Sequence, residues 1–176
     1  MRALELRRHA HNEGDALTDE GRAVAERVGR GLHGPYEAVF SSPAKRAAET
    51  VAWFLRGLGQ QLPQTHGVTE GLTSAVEDRW LAAGGASGTG RVDDIEQQDP
   101  DLVREESPRL ADAMLQMLAA VSEDGRSLAV GHSPLLEAGV YGLTGRVIEP
   151  LGKCEGVLVA HDGERVRLEE EYRLKD

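Results

Sequence analysis

Cysteine is almost absent from this 176-residue sequence, because Cys154 is the only one. A single thiol excludes an intramolecular disulfide and any metal site built from several thiolates, such as structural zinc or an iron–sulfur cluster. Aromatic residues are also scarce, at 4% of the chain. The core must therefore consist mainly of Leu, Val and Ala, which favours helices packed on a sheet over an aromatic-rich β-sandwich.

Long apolar runs and excess positive charge are missing as well. No stretch approaches the roughly 18 apolar residues of a membrane span, and the N-terminus lacks the apolar stretch of roughly 7–15 residues that a signal peptide needs. Asp and Glu number 30 against 20 Lys and Arg, which gives a net charge of −10. A surface this acidic repels nucleic acids and anionic membranes. We therefore expect a cytoplasmic protein that binds neither.

The length is typical of one domain, here residues 1–176. Short apolar strands alternate with amphipathic helices along the chain, which predicts an α/β fold: a three-layer α/β/α sandwich with a mostly parallel central sheet. The glycine-rich stretch 84–90 (GGASGTG) has no periodicity and predicts a flexible loop near residues 84–93. No coiled-coil heptad is present, so the sequence predicts no particular oligomeric state.

Local signals predict several boundaries. Thr18 precedes an acidic pair and is expected to cap a helix, and Ser133 is expected to cap another. Ser42-Pro43 and Ser107-Pro108 each combine a capping residue with a proline suited to the first helical position. Two apolar segments around an Asp-Gly turn at 162–163 predict a C-terminal hairpin.

Three polar turns follow predicted strands and carry the chemistry: Arg8-His9, Ser41-Ser42 with Arg46 just inside the next helix, and His132-Ser133. Ligands of such sheets bind at the carboxyl ends of the strands, so these turns are candidates for one pocket. Guanidinium groups bind phosphate oxygens bidentately, and a neutral imidazole is a competent nucleophile. Fixed cations stabilise the charge of phosphoryl transfer without a metal. The pattern predicts a phosphoryl-binding pocket.

Four blocks in register strengthen that prediction. Residues 6–10 (LRRHA), 17–21 (LTDEG), 41–50 (SSPAKRAAET) and 130–133 (VGHS) resemble the motifs of the histidine phosphatase superfamily, also called phosphoglycerate mutase-like. Ala10 stands where most of the family has glycine, as in its bacterial phosphohistidine phosphatases. The resemblance implies a metal-independent phosphatase without a cofactor. Its substrate would be a phosphorylated small molecule or a phosphohistidine protein.

The resemblance also implies residue roles. His9 would be the nucleophile that becomes phosphorylated, and the phosphoryl oxygens would be bound by Arg8, Arg46 and His132. Asn12 falls where the family often has Ser or Thr near the phosphate.

The family's proton donor is an acidic residue downstream of the Ser-Ser-Pro helix, and Glu70 is the candidate by position. Glu77 and Asp78 compete with it. A good leaving group such as the imidazole of phosphohistidine needs less help from an acid than an alkoxide does, so even a missing acid would be compatible with some members of the family.

Three other functions remain open at this point. A phosphoglycerate mutase-like phosphotransferase would need a closed site that holds its intermediate. A non-catalytic member would bind a phosphorylated ligand without turnover. His9 and His11 also form the H-x-H pattern of metal-dependent hydrolases, although the chain is short of the roughly 250 residues of a TIM barrel.

Overall fold

A six-stranded sheet lies at the centre of the computed structural model, which describes residues 1–175. Its strands run in the order β5-β4-β6-β1-β7-β8, and β2 and β3 form a separate small hairpin. The strands are β1 (Arg2–Arg8), β2 (Asn12–Glu13), β3 (Ala16–Leu17), β4 (Ala38–Ser41), β5 (Thr65–Val68), β6 (Arg126–Gly131), β7 (Gly156–His161) and β8 (Val166–Tyr172).

The four strands β5, β4, β6 and β1 are mutually parallel, and β7 and β8 add an antiparallel hairpin beside β1. The predicted mostly parallel sheet and the predicted C-terminal hairpin are both confirmed. Register brings Arg8 opposite Gly131, and Ser41 opposite Val130. The carboxyl ends of β1, β6 and β4 therefore lie side by side.

Helices cover both faces of the sheet, which confirms the three-layer sandwich. They are α1 (Asp19–Gly29), α2 (Lys45–Leu58), α3 (Glu77–Ser87), α4 (Val92–Gln98), α5 (Pro100–Ala119) and α6 (Leu135–Thr144), with a short 3-10 turn at Glu70–Leu72. On one face α1 and α2 pack around Phe54, and on the other α5 and α6 pack around Met114 and Leu136. No helix within residues 1–175 is both long and apolar enough to cross a bilayer.

The glycine-rich segment is mostly helical, so the loop predicted near 84–93 is wrong over much of its length. Helix α3 continues through Gly84 and Gly85 to Ser87, and α4 begins at Val92. Trp80 and Ala83 are buried in a third apolar cluster together with α4, α5 and α6. This packing stabilises a helix that its glycine residues disfavour.

Thr18 caps α1 as predicted, because its hydroxyl accepts the N–H of Gly21 at 3.0 Å. The start predicted at Ser107-Pro108 is wrong. Helix α5 begins two turns earlier at Pro100, where the Asp99 carboxylate accepts the N–H of Leu102 at 3.1 Å. Pro108 therefore lies inside the helix and removes one of its backbone donors.

The caps predicted at Ser42 and Ser133 are also wrong. Helix α2 begins at Lys45, and its first N–H groups are accepted by the Asp15 carboxylate at 3.2 and 3.3 Å. The Ser133 hydroxyl donates to the carboxylate of Glu137 and makes no cap for α6. Both serines are engaged in side-chain contacts.

Charged side chains of β1 form a buried cluster with polar and charged residues of neighbouring segments. Glu5 is fully buried on β1, where it accepts from Arg7 Nε at 2.7 Å and from the Tyr36 hydroxyl at 2.6 Å. Arg126 Nη1 lies 3.8 Å from the same carboxylate. Burial and the Glu5 charge raise the pKa of Tyr36. The phenol therefore stays a donor, as a buried carboxylate requires.

The substitution Tyr36→Phe should lower the free energy of unfolding by about 1.5–3 kcal/mol, because it removes a hydrogen bond to a buried charge. Urea denaturation measures the change. Tyr141→Phe is the matched control: that hydroxyl lies 3.4 Å from Glu96 on a partly buried ring and does not bond a buried carboxylate, and its loss should cost less than about 0.5 kcal/mol. Equal effects of the two substitutions would contradict a stabilising role for the buried cluster.

Candidate active site

The carboxyl ends of three parallel strands form one pocket. His9 follows β1, Arg46 lies in the first turn of α2 after β4, and His132 follows β6. These three side chains line a pocket of about 190 Å³. Its remaining walls come from Glu77, Trp80, Leu81, Ser133, Pro134 and Leu135. Helix α3 therefore forms one side of the pocket.

His9 is 4% exposed, and its orientation fixes its tautomer. Nδ1 lies 2.8 Å from the carbonyl oxygen of Ala10. Because a carbonyl only accepts, Nδ1 carries the hydrogen and Nε2 keeps a lone pair. Burial, with the charges of Lys153, His132 and Arg46, lowers the pKa of His9 to about 3, although the hydrogen bond to the Ala10 carbonyl opposes the shift. The ring is therefore neutral and nucleophilic at physiological pH.

His132 faces the same pocket, with its ring centroid 5.1 Å from that of His9. Its Nε2 lies 2.6 Å from Ser42 Oγ, and Arg46 Nη2 approaches its Nδ1 at 3.4 Å. A guanidinium has no lone pair, so Nδ1 accepts and Nε2 donates to the serine. Burial, together with the Arg46 charge, lowers the pKa of His132 to about 4. The bond to His132 explains why Ser42 does not cap α2.

Arg46 is held by Asp15, which precedes β3. Arg46 Nη1 donates to Asp15 Oδ1 at 2.9 Å. The N–H groups of Lys45 and Arg46 lower the pKa of Asp15, so the carboxylate stays ionised. Nothing in the sequence distinguishes Asp15 from an ordinary loop residue, and only the fold brings it to α2. It fixes the guanidinium at the pocket before any ligand arrives.

Arg8 lies beside the pocket and is absent from its lining. Its Nη1 donates to the carbonyl of Leu151 at 2.7 Å, and its buried Nε has no partner. Burial lowers the pKa of Arg8, whereas the charges of Glu137 and Glu155 raise it. The Arg8 charge in turn lowers the pKa of His132. Arg8 thus has one unpaired donor next to the pocket, and its contact with a phosphoryl oxygen stays a prediction.

Glu137 is a buried carboxyl that the sequence analysis missed. It is 1% exposed, accepts the N–H of Leu151 at 2.8 Å, and also accepts the Ser133 hydroxyl. Leu151 thus links Glu137 to Arg8 through its two backbone groups. A glutamate within an apolar helical pattern, five residues after His132, was the available signal.

Glu70, the first candidate for the proton donor, does not line the pocket. It is exposed in the 3-10 turn, where Thr73 Oγ1 lies 3.3 Å from its carboxylate. Asp78 is exposed and is also absent from the lining. Glu77, at the start of α3, lies in the wall that faces the two imidazoles. The structure therefore favours Glu77 over the other two carboxylates.

Asn12 is engaged with a lysine that the sequence analysis did not identify. Its Nδ2 donates to the Gly14 carbonyl at 2.7 Å, and its Oδ1 accepts from Lys153 Nζ at 3.0 Å. Lys153 lies in the segment between α6 and β7, where no motif marks it.

The H-x-H pair is divided between two environments. His9 is buried in the pocket, whereas His11 is exposed with its Nδ1 3.0 Å from Thr18 Oγ1. Across residues 1–175, no three His, Cys, Asp or Glu side chains are grouped so that they could hold a metal ion.

Similar folds occur among solved phosphatases and mutases. Phosphoserine phosphatase from Entamoeba histolytica, in complex with 3-phosphoglyceric acid, superimposes with a TM-score of 0.70 at 17% identity, over 99% of this chain and 98% of that one. Phosphoglycerate mutase from Bacillus anthracis gives 0.67 at 20%, over 96% and 91%. The protein histidine phosphatase SixA with tungstate gives 0.60 at 18%, over 97% and 96%.

At these identities the likeness concerns the fold. No curated protein sequence matches the chain. The family model for the histidine phosphatase superfamily (branch 1), however, matches residues 5–159. That range contains the four motif blocks and every side chain described in the pocket. The chain therefore belongs to branch 1 of the histidine phosphatase superfamily.

Proposed function

We propose that this chain is a metal-independent phosphatase that hydrolyses a phosphomonoester or a phosphohistidine through a phosphohistidine intermediate at His9. One observation carries the proposal: a buried neutral imidazole with a free Nε2 shares a pocket with His132 and Arg46. A nucleophile and fixed charge for the phosphoryl oxygens are the two requirements of covalent phosphoryl transfer.

In the first step, His9 Nε2 attacks phosphorus, a P–N bond forms, and the P–O or P–N bond to the leaving group breaks. The Arg46 guanidinium stabilises the negative charge on the phosphoryl oxygens, and the Nε2–H of His132 donates to one of them in place of Ser42. Glu77 gives its proton to the leaving group. In the second step, water attacks phosphorus, the P–N bond to His9 Nε2 breaks, and the Glu77 carboxylate takes one of the protons of the water. Inorganic phosphate departs, and His9 and Glu77 return to their starting states.

We favour hydrolysis over mutase chemistry because the mouth of the pocket is open to water. Leu81 of α3 lines the pocket and is 74% exposed, so its mouth is in contact with water. A mutase must keep water from its phosphorylated intermediate. The similar structures carry both activities, since one is a phosphoserine phosphatase and another is a phosphoglycerate mutase.

Substitution of His9 by alanine should abolish turnover of p-nitrophenyl phosphate, because no other buried imidazole in the pocket has a free Nε2. Rapid quenching of the wild type with labelled substrate should trap an acid-labile phosphoenzyme that the variant lacks. His11→Ala is the matched control, since His11 is exposed, and should retain both activity and label. Turnover should also survive EDTA. Activity lost in EDTA, or retained in His9→Ala, would refute the mechanism.

Substitution of Glu77 by glutamine should reduce turnover of an alkyl phosphate by about 10²–10⁴-fold, the usual contribution of a general acid. The drop should be smaller for p-nitrophenyl phosphate, whose leaving group needs little protonation. Glu70→Gln and Asp78→Asn should leave both rates unchanged. Steady-state kinetics with the two substrates provide the comparison, and a larger effect at Glu70 than at Glu77 would reassign the proton donor.

Replacement of Arg46 by methionine should cost about 2–4 kcal/mol of transition-state stabilisation, as expected for one preorganised donor. Arg56→Met on the same helix is the control, because Arg56 is 67% exposed and pairs with Glu26 away from the pocket. The ratio of kcat/KM values measures the loss. Similar kcat/KM values for the two variants would show that Arg46 does not contact the phosphoryl group.

A further inference from the structure

Lys153 is one of three lysines in the chain. It does not line the pocket, but its charge acts on both imidazoles there. The residue after it, Cys154, donates its N–H to the carbonyl of Arg8 at 3.1 Å and to that of His9 at 3.4 Å. Cys154 adopts a φ of 63°, a conformation that is uncommon for a residue with a side chain. These hydrogen bonds hold the segment that carries Lys153 at the end of β1, next to His9, the proposed nucleophile.

The ammonium group is fixed from a second direction. Lys153 Nζ donates to Asn12 Oδ1 at 3.0 Å, and Asn12 follows His9 by three residues. The two anchors of Lys153 thus lie on either side of His9 in the sequence. The Lys153 charge also lowers the pKa of both His9 and His132, which places it within electrostatic reach of both imidazoles.

No carboxylate neutralises this cation. Within residues 1–175, no Asp or Glu oxygen lies within the 4.0 Å of a salt bridge to Lys153, whereas Arg46 pairs with Asp15 at 2.9 Å and Lys45 with Glu49 at 3.6 Å. Its one side-chain partner, Asn12, is neutral. A half-buried ammonium near two guanidinium groups is destabilised by desolvation and by repulsion. Binding of an anion would relieve both penalties.

We propose that Lys153 is a further cationic substrate-binding residue, which donates a hydrogen bond to a non-bridging phosphoryl oxygen, and that Asn12 positions it. The inference rests on the proposed function in that it assigns a further contact to the same phosphoryl group. Asn12, expected from the sequence to contact phosphate, thereby acts through Lys153. The donor is an ammonium with three N–H groups, so it can keep Asn12 Oδ1 while it binds a phosphoryl oxygen.

The surroundings of Lys153 predict how binding depends on pH. Burial, with the charges of Arg8 and Arg46, lowers the pKa of Lys153 to about 8. Below that pH the ammonium is charged and binds; above it the neutral amine does not. The groups whose charges act on it are the guanidiniums of Arg8 and Arg46 and the Cys154 thiol, and its own charge acts on the imidazoles of His9 and His132. Asp15 pairs with Arg46, and Glu137 and Glu155 act on Arg8.

Direct binding of inorganic phosphate tests the proposal without turnover. Isothermal titration calorimetry at pH 7 compares the His9→Ala protein with the same protein carrying Lys153→Met or Lys45→Met. Loss of a charge-assisted hydrogen bond should weaken phosphate binding by about tenfold or more in the Lys153 variant. Lys45→Met, which removes an exposed lysine, should leave it unchanged. An unchanged affinity in the Lys153 variant, or no binding by the parent, would overturn the proposal.

A second variant tests the proposal in case Lys153→Met does not fold. Lys153→Arg keeps a cation that stays charged to high pH. In otherwise wild-type protein, kcat/KM should fall above about pH 8, and Lys153→Arg should remove that alkaline limb. A limb that persists in Lys153→Arg would overturn the assignment. A wild type without phosphoenzyme at His9 would refute the proposed function, while the phosphate titrations would still decide the role of Lys153.

Discussion

Parallel pairing of β1 with β6, and of β6 with β4, is the constraint on which the pocket depends. Because these three strands run in the same direction, they end at the same edge of the sheet. The first residues beyond them need not form the hydrogen bonds of the sheet. Those residues are free to face a ligand. His9 and His132 follow two neighbouring strands directly, and Arg46 follows the third after one tight turn. The ring distance of 5.1 Å between the two histidines is a product of strand register.

Electrostatics then decides what the pocket can hold. The chain carries a net charge of −10, yet Arg8, Arg46 and Lys153 gather around two neutral imidazoles. Asp15 offsets part of that positive charge and holds Arg46 in place. Glu137 offsets another part and binds the N–H of Leu151, whose carbonyl accepts from Arg8. The local field at the pocket is therefore positive although the protein is acidic. Burial keeps both imidazoles unprotonated beside these cations.

The sequence predicted the layers of the fold and the pairing of the two histidines, because hydrophobic periodicity and short motifs are local properties. The sequence-based predictions were wrong where contacts between residues far apart in the chain determine the local structure. Ser42 resembles a cap but is taken by His132, and Gly84 and Gly85 resemble a loop but are held in α3 by the burial of Trp80. Lys153 lies 144 residues after His9 and has no motif. Glu77 rather than Glu70 lines the pocket because α3 packs against α5 and α6. Nothing in the glycine-rich sequence indicated that a helix forms there.

The pocket rests on two apolar clusters, which are joined through helices α5 and α6. Its floor stands on the sheet, whereas its outer wall is α3, whose buried residues belong to an apolar cluster shared with α4, α5 and α6. The two exposed residues of α3 that line the pocket, Glu77 and Leu81, belong to neither of these apolar clusters. A substitution at Leu81 can therefore reshape the mouth of the pocket without removing a side chain from the packed core.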